Sequence, residues 1–509
     1  MFLFALIGLA AGSEKNEAAP SHAWRSRVEP PSWVPTARVV LGDLFVQGGN
    51  MSSVTLDEIT ALAKRRGFVY PHAEIYGGLA NAYDYGPLGA ELLRNIKNLW
   101  WKTFVSQRAD IVGIDASIIS HSKIWEASGH VSSFADAMVD CKNCHFRTRA
   151  DHLIEDFFVK KEKEIKVEGK TTEQLDEIIS ENKITCPVCG KIEWTRVRKF
   201  NLLFPVNIGI LEGDQSLAYL RGETAQGMFY NFKNIIDSTR VRLPFGVSQI
   251  GKGFRNEITK GNFVFRTIEF EMGEIEYFFN PEEQDAMQLF ESWKNSMWDF
   301  VTNLLGINKE NLRWRAHTDE ERSFYSTRTE DLEYNFSFGY KELWGLAYRT
   351  DYDLKQHMKF SGSDLMYTDP KTGNIVTPHV IEPAVGINRL FLMVLQDAYW
   401  KDEQKKRIVL RLNKALSPYR AAVFPLLSNK PELVEKAKQV FDELLSEYPT
   451  VWDDRGNIGK RYLAQDEIGT PFCVTIDFQT LIDNTVTVRD RDTAEQVRVH
   501  VKDLKGAVS

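Results

Sequence analysis

The chain has 509 residues, 43% of them hydrophobic and 12% aromatic, with 63 Lys and Arg against 70 Asp and Glu for a formal charge of −7. This composition excludes a disordered chain, a coiled coil and a collagen-like fibre, and it suffices for about three domain-sized cores. It also excludes a protein that holds nucleic acid by bulk charge, so such a partner must meet local basic patches.

Phe2 to Gly12 is apolar but far short of the ~20 residues that a bilayer span needs. No Lys or Arg precedes it, so the charged start of a signal peptide is missing. Residues 13–50 carry Pro, Ser, Ala and Gly without periodicity. Residues 1–50 therefore read as a disordered leader or an over-called start, with folding expected from Met51. No other stretch resembles a membrane span, and a cytoplasmic protein is expected. Leu56, Ile59, Leu62 and Ala63 fall at helical spacing, and Gly67 after Lys64, Arg65 and Arg66 marks a helix end. Leu88 to Val105 reads as a long amphipathic helix bearing Leu92, Ile96, Leu99 and Trp100, and Ile111 to Ile119 as a strand. The densely charged stretch 160–183 reads as a solvated helical insertion. Strands and turns are expected from Pro205 to about Gly273, helix over 281–305, and another helix from Ile387 to Ala398. A second domain, a compact α/β unit, is expected from near Lys405. Its strands are read at 408–412, 419–424, 472–477, 485–490 and 497–501, with a helix over 431–446.

Two CxxC pairs, Cys141 with Cys144 and Cys186 with Cys189, flank 41 residues. Each pair can fold as a knuckle that delivers two thiolates to a tetrahedral Zn²⁺, and Pro187 and Gly190 suit such a turn. Two redox pairs or four unrelated buried cysteines are the competing readings. Four protein ligands would close the site, making the metal structural, within a zinc-ribbon-like insertion at 141–189. Cys473 lies outside the set.

Residues 245–278 (FGVSQIGKGFRNEITKGNFVFRTIEFEMGEIEYF) carry alternating apolar residues on both sides of Lys260-Gly261-Asn262. They read as two antiparallel strands joined by a turn or longer loop. Arg255 and Glu257, two apart, are expected on one face of the first strand, and Phe270 and Glu274 on one face of the second. A guanidinium, a ring and carboxylates held on one sheet make a nucleotide and amine pocket, since the planar fork of Arg pairs with phosphate oxygens. An ordinary amphipathic hairpin with cross-strand ion pairs is the other reading, and the hairpin alone does not decide.

FRNE at 254–257 resembles motif 2 of the class II aminoacyl-tRNA synthetases, and HVIEPAVGINRLFLMVL at 379–395 resembles their motif 3. Within that class the chain is similar to glycyl-tRNA synthetases of the homodimeric type. The runs that carry the similarity are RRGFVYPHAEIYGGLANAYDYGPLGAEL (65–92), SGHVSSFADAMVDCKNCHFRTRADHLIED (128–156), RGETAQGMF (221–229), ELWGLAYRTDYDLKQH (342–357) and DNTVTVRDRDTAEQV (483–497). Together they reach from about Leu56 to Leu504. Residues 86–120 take the place of motif 1, the helix-strand element through which such enzymes dimerise.

The resemblance implies an α+β fold. Residues 51–404 would form an antiparallel sheet flanked by helices, the catalytic domain, and residues 405–509 an anticodon-binding α/β domain. It implies a homodimeric ligase that makes glycyl-adenylate from glycine and ATP, then transfers glycine to the 3′ end of tRNA(Gly). Arg255 would bind the α-phosphate, where charge builds as the carboxylate attacks. Phe270 would stack on adenine, and Arg389 would meet the other ring face or the γ-phosphate, near the positive end of its helix. Glu257 completes the catalytic set with these arginines, and Glu342 would hold Mg²⁺ against the phosphates. Asn256, Phe265, Arg266, Leu343, Gly386 and Asn388 complete the ATP site. Glycine has no side chain to grip, so its recognition rests on ammonium, carboxylate and exclusion of anything larger. Glu223, Glu274 and Glu382 would surround the ammonium, and Arg149 and Arg349 are assigned to the carboxylate side. Phe270, Glu271 and Gly386 complete that pocket. The chain departs from its relatives at Ile268, where an Arg is frequent, at Met272-Gly273, where Gln-Met is usual, and at Ala384, where a Ser is frequent. Arg489 and Arg491 stand among Asp490 and Asp492, placed either to pair locally or to touch RNA.

Overall fold

The computed structural model describes residues 54–509 except 164, 166, 168, 210–215, 258–260, 320 and 324. The leader read over residues 1–50 lies outside the described residues. Among them, no helix is long and apolar enough to cross a membrane.

The main sheet has seven strands: β1 (Ile111–Gly113), β2 (Phe245–Phe254), β3 (Glu269–Phe279), β4 (Leu312–Ala316), β5 (Arg328–Phe336), β6 (Gly339–Thr350) and β7 (His379–Gly386). They lie in the order β4-β5-β6-β7-β3-β2-β1, antiparallel throughout except where β1 runs parallel to β2. The expected hairpin is β2 with β3, Phe245 standing opposite Phe278 and Phe254 opposite Glu269. Side chains alternate across β3. Ile275, Tyr277 and Phe279 enter the large core behind the sheet, and Phe278 packs on the opposite face with Val247 and Phe229. Glu274 and Glu276 share that second face by the period of two. One strand thus seals a core and floors a polar site.

Three helices cover the rear of the sheet. Pro87–Trp101 opens on Pro in its first turn, buries Leu88, Leu92, Ile96 and Trp100, and passes into a π-helical turn at Lys102–Ser106. Ala286–Asp299 begins later than the pattern over 281–305 implies, because the Asp285 side chain accepts from the backbone N–H of Met287 and Gln288 and fixes the start there. Ile387–Ala398 spans the expected residues and follows β7 without a loop.

Elsewhere the structure corrects the sequence reading. The strand expected over 111–119 is two strands. Ile111–Gly113 joins the main sheet and Ile119–His121 pairs with Ser216–Leu220 in another. Between them backbone groups turn to side chains, the Arg221 guanidinium donating to Ala116 O at 2.6 Å and Ala116 N to Gln249 Oε1 at 3.3 Å. The stretch read as strands and turns from Pro205 holds two helices, Ala225–Tyr230 and Phe232–Thr239. They bury Ala225, Met228, Phe229, Phe232 and Ile235, a helical spacing that the surrounding β-like text masks. The charged stretch 160–183 is not one solvated helix. Thr172–Glu181 follows a separate helix, Ala150–Val159, and Leu175 and Ile179 pack with Val139, Leu153 and Ile154 in a small core of their own.

A second sheet lies toward the C-terminus, with Thr450–Trp452, Ala421–Pro425 and Phe472–Ile476 parallel, then Thr485–Asp490 and Gln496–His500 antiparallel. Helix Pro431–Leu445 packs Leu433, Ala437, Val440 and Leu444 into its core. The strand expected at 408–412 stays out of this sheet. As Arg407–Leu410 it pairs with Tyr399–Asp402, and Leu410 and Leu412 belong to the large core. The helix Ile458–Ile468 escaped the sequence reading because its buried positions include Arg461, Gln465 and Asp466, which carry no apolar stripe. Of the two arginines read beside Asp490 and Asp492, Arg491 pairs locally and Arg489 pairs with a residue of the helix Ile458–Ile468. Arg489 holds the fully buried Asp466 at 2.8 and 2.9 Å, and Arg491 holds Asp492 and the carbonyls of Leu412 and Gly469.

Candidate active site

Strand β2 ends at Phe254, so Arg255 and Glu257 do not share a face of it. The backbone N–H of Glu257 folds back on Arg255 O at 2.7 Å and turns the chain. Arg255 still pairs with the hairpin partner, donating its N–H to Ile268 O at 3.0 Å, and its Nε donates to Gly222 O at 3.2 Å. The guanidinium lies 5.2 Å from the ring centre of Phe270 and 5.0 Å from that of Phe134. Arg389, in the first turn of Ile387–Ala398, bonds Glu342 Oε2 and the Glu342 carbonyl, each at 3.0 Å. It lies 4.5 Å over the ring of Phe265, which is braced edge-on by Phe336 and Phe338. Gly386 leaves room for the Arg389 stem, since a Cβ there would stand 3.2 Å from Arg389 Cδ.

The Glu342 carboxyl is held below its ordinary range by Arg389 first, against its desolvation, with help from Arg255. One carboxylate therefore feels both arginines. Across the side-chainless Gly345 stands Asp331; a Cβ at 345 would sit 3.7 Å from Asp331 Oδ1 and 3.8 Å from Glu342 Oε1. These hard oxygens border a cradle of the kind Mg²⁺ accepts.

The other nucleotide-side residues divide. Glu257 faces Arg266 at 3.9 Å, and Asn256 N donates to Leu202 O at 2.8 Å. Leu343 is fully buried in the core behind the sheet, so only its backbone faces forward. Asn388 is a brace, its side chain bonding Tyr85 OH at 2.6 Å and accepting from Glu271 N at 2.7 Å. Glu271 takes the opposite face of β3 from Phe270 and Glu274 and is paired with Lys97 at 2.8 and 3.0 Å. Arg149 forms ion pairs with Asp136 and Asp151, with Glu257 adding to its field; the structure groups it with Glu257 rather than with Arg349.

Glu223, Glu274 and Glu382 are buried, and so is Arg349. Arg349 reaches Glu382 Oε1 at 2.9 Å and clasps Asp353 through two bonds of 2.8 and 2.9 Å, while its guanidinium lies 4.0 Å over the ring of Tyr325. Gln226 donates to Glu223 at 2.9 Å and to Asp353 at 3.2 Å, and its carbonyl oxygen meets His357 Nε2 at 2.9 Å. His130 Nε2 lies 3.1 Å from Glu223 Oε2 and its Nδ1 2.9 Å from Ser128 Oγ. Glu274 accepts from the backbone N–H of Thr224 at 2.7 Å and from the Thr224 hydroxyl. Burial alone would raise all three glutamates. For Glu223 the fields of His130 and Arg349 outweigh burial and lower it, whereas Glu274 stays raised by burial and by Glu223. Burial and the neighbouring Glu274 and Glu223 push Glu382 up to about 8 against the pull of Arg349. A niche with this excess of acid over base attracts a small cation. His130, Gln226, Asp353 and His357 were not singled out from sequence, although each falls within a motif run quoted above; their contacts join segments far apart in the chain.

The four cysteines converge as the spacing predicts. The sulfurs of Cys141 and Cys189 are 3.6 Å apart, those of Cys144 and Cys186 likewise 3.6 Å, and all four lie within 4.8 Å of one another. Each knuckle closes on its first cysteine, His145 N donating to Cys141 O and Gly190 N to Cys186 O, both at 2.9 Å. His145 and Gly190 adopt the left-handed conformation that such turns need. Unrelated cysteines would not converge so. A tetrahedral ion with bonds of ~2.3 Å to sulfur needs sulfurs roughly 3.8 Å apart, which this set matches.

Comparison with known proteins agrees with this geometry. The family described as "Anticodon binding domain" matches residues 420–509, and that described as "Glycyl-tRNA synthetase insertion domain 1" matches residues 166–202. The glycine--tRNA ligase of Caldanaerobacter subterraneus subsp. tengcongensis is 52% identical over 450 residues, 88% of this chain and 96% of that protein. The glycine--tRNA ligase of Geobacillus kaustophilus is 50% identical over 456 residues, 89% of this chain and 98% of that one. Among solved structures, a prolyl-tRNA synthetase from Cryptosporidium parvum aligns with a TM-score of 0.58 over 89% of this chain and 76% of that chain. It is 14% identical, a likeness of fold alone. With half its positions identical to such relatives along almost their whole length, the chain belongs to the glycine--tRNA ligase family.

Proposed function

We propose that this protein joins glycine to tRNA(Gly) in two steps, first making glycyl-adenylate from glycine and ATP. The observation that carries the proposal is the pair of ring-backed arginines, just beyond the ends of two strands of one sheet, beside a buried acidic niche on that sheet. ATP lies with adenine against Phe270 and its phosphates toward Arg255 and Arg389. The glycine ammonium enters among Glu223, Glu274 and Glu382, leaving its carboxylate to attack the α-phosphorus. Arg255 neutralises the charge that grows on the α-phosphate oxygens during this attack, in a geometry set before the reaction begins. Arg389 holds the far end of the nucleotide, and Glu257 fixes the loop through Arg266. Glu342, with Asp331 beside it, would hold Mg²⁺, which when bound offsets charge on the phosphates. Arg349 has its donors engaged by Asp353 and Glu382, so it acts by orienting Glu382 and balancing the niche. Size selection belongs to the crowded floor, where a methyl group meets fixed side chains.

In the same reading residues 51–404 form the catalytic domain and residues 405–509 the domain that meets the anticodon. The Cys141, Cys144, Cys186 and Cys189 set holds a structural Zn²⁺. Two copies join through the segment 86–120, whose Ile118 and Ile119 are exposed in the single chain. The test is ATP–pyrophosphate exchange. Exchange supported by glycine and not by alanine is the expected result, and equal exchange with both, or none with glycine, overturns the proposal.

A further inference from the structure

The floor of the acidic niche contains a fourth glutamate that the motifs do not single out. Glu276 stands two residues beyond Glu274 on β3, on the same face, and is 0% exposed. The register of β3 with β7, Glu274 opposite Ala384 and Tyr277 opposite Ile381, sets Glu276 directly across from Glu382. On its other side it faces Val247 of β2, in an apolar cluster with Phe278 and Phe229. Neither carboxyl oxygen of Glu276 has a hydrogen-bond partner. Arg349, the cation whose field reaches it, directs its bonds to Asp353 and Glu382 instead.

A charged carboxylate without donors on an apolar floor is strongly disfavoured, and here Glu382, Glu274 and Asp353 add repulsion. Burial first, and then Glu382, hold the Glu276 carboxyl above its ordinary value, and the absence of any donor to either of its oxygens favours the same protonated form. A protonated carboxyl has an O–H to donate, and the cross-strand Glu382 carboxyl offers the acceptor oxygen that the register supplies. Directly opposed residues bring their Cβ atoms to about 4.5–5.5 Å, within reach of one rotamer change or one bridging water.

We propose that Glu276 is a positioning residue of the amino-acid niche: as a neutral carboxylic acid it donates a hydrogen bond to Glu382, directly or through one water, and fixes the direction in which Glu382 meets the substrate ammonium. The proposal rests on the reading of the niche as a glycine site.

The experiment compares Glu276→Gln and Glu276→Leu with the parent in glycine-dependent pyrophosphate exchange. Glutamine is neutral, similar in shape and still a donor, so glycine KM should stay within about threefold of the parent. Leucine fills the space without a donor, and glycine KM should rise about tenfold or more while ATP KM changes less than about twofold. A merely structural role would lower thermal stability and shift both KM values together. Unchanged glycine KM in the Leu variant, or a Gln variant as impaired as Leu, overturns the role of Glu276. A parent that fails to exchange with glycine overturns the reading of the niche itself. Should the Leu variant not fold, infrared difference spectra on adding glycine decide. The parent should show, beyond any band of Glu382, a protonated-carboxyl C=O band that moves and that Glu276→Gln lacks; identical difference spectra from the two proteins contradict the proposal.

Discussion

Arg255 stands where a strand has just ended, between the rings of Phe134 and Phe270, with its Nε tied to a carbonyl and the rest of the guanidinium free to meet a phosphate. Its contribution is to the transition state more than to the fold. Arg255→Ala should lower the rate of glycine-dependent exchange about 100-fold or more, with a thermal midpoint close to the parent's. An exchange rate equal to the parent's would remove Arg255 from the reaction. The residue scale also shows where reading by period succeeds and where it stops. Alternation placed Phe270 and Glu274 on one face of β3 correctly, and the same rule applied to Glu271 would have turned it away, toward Lys97. The rule gave a wrong answer for Arg255 and Glu257, because nothing in FRNE announces that Glu257 folds back on Arg255 O. Glu276 was equally legible by alternation, but its lack of a partner is a property of the packed niche.

At the scale of elements, the hairpin and the helix after β7 were legible because their apolar text runs uninterrupted. β2 and β3 cover the alternating text, and Ile387–Ala398 buries residues on nearly every side. The helices Ala225–Tyr230 and Phe232–Thr239 were not, since each is too short for a period to stand out among strands. The Cys₄ insertion mixes both outcomes. Its ligands were legible from spacing, and the helix Thr172–Glu181 was legible too, whereas the helix Ala150–Val159 and the core the two share were not read. That core is small, and the four thiols draw its two ends together, so bound metal should stabilise the insertion specifically. Purified protein should contain about one Zn²⁺ per chain. Cys141→Ser should lower that content and expose residues 135–201 to hydrogen exchange, leaving the main sheet protected. Full metal content in the variant, measured by elemental analysis, would contradict the assignment.

At the scale of the whole molecule, the C-terminal sheet is tied to the hairpin that precedes it through buried charge. Arg407 bonds Asp402 and Asp466, and Asp466 in turn holds Arg489. An ion network of this kind, hydrogen-bonded at each member, fixes orientation more than it adds stability. It was invisible in the sequence, where Arg489 and Arg491 read equally well as contacts for RNA. In the proposed reading, the part that carries the main sheet uses charge differently, with arginines for the nucleotide beside an acidic niche for the smallest amino acid. The most direct measurement of that claim is a crystal structure with a non-hydrolysable glycyl-adenylate analogue. The ammonium should lie within hydrogen-bond distance of Glu223, Glu274 and Glu382, with the phosphate-mimicking group at Arg255 and adenine against Phe270. An analogue seated with its amino group away from those three glutamates would contradict the account.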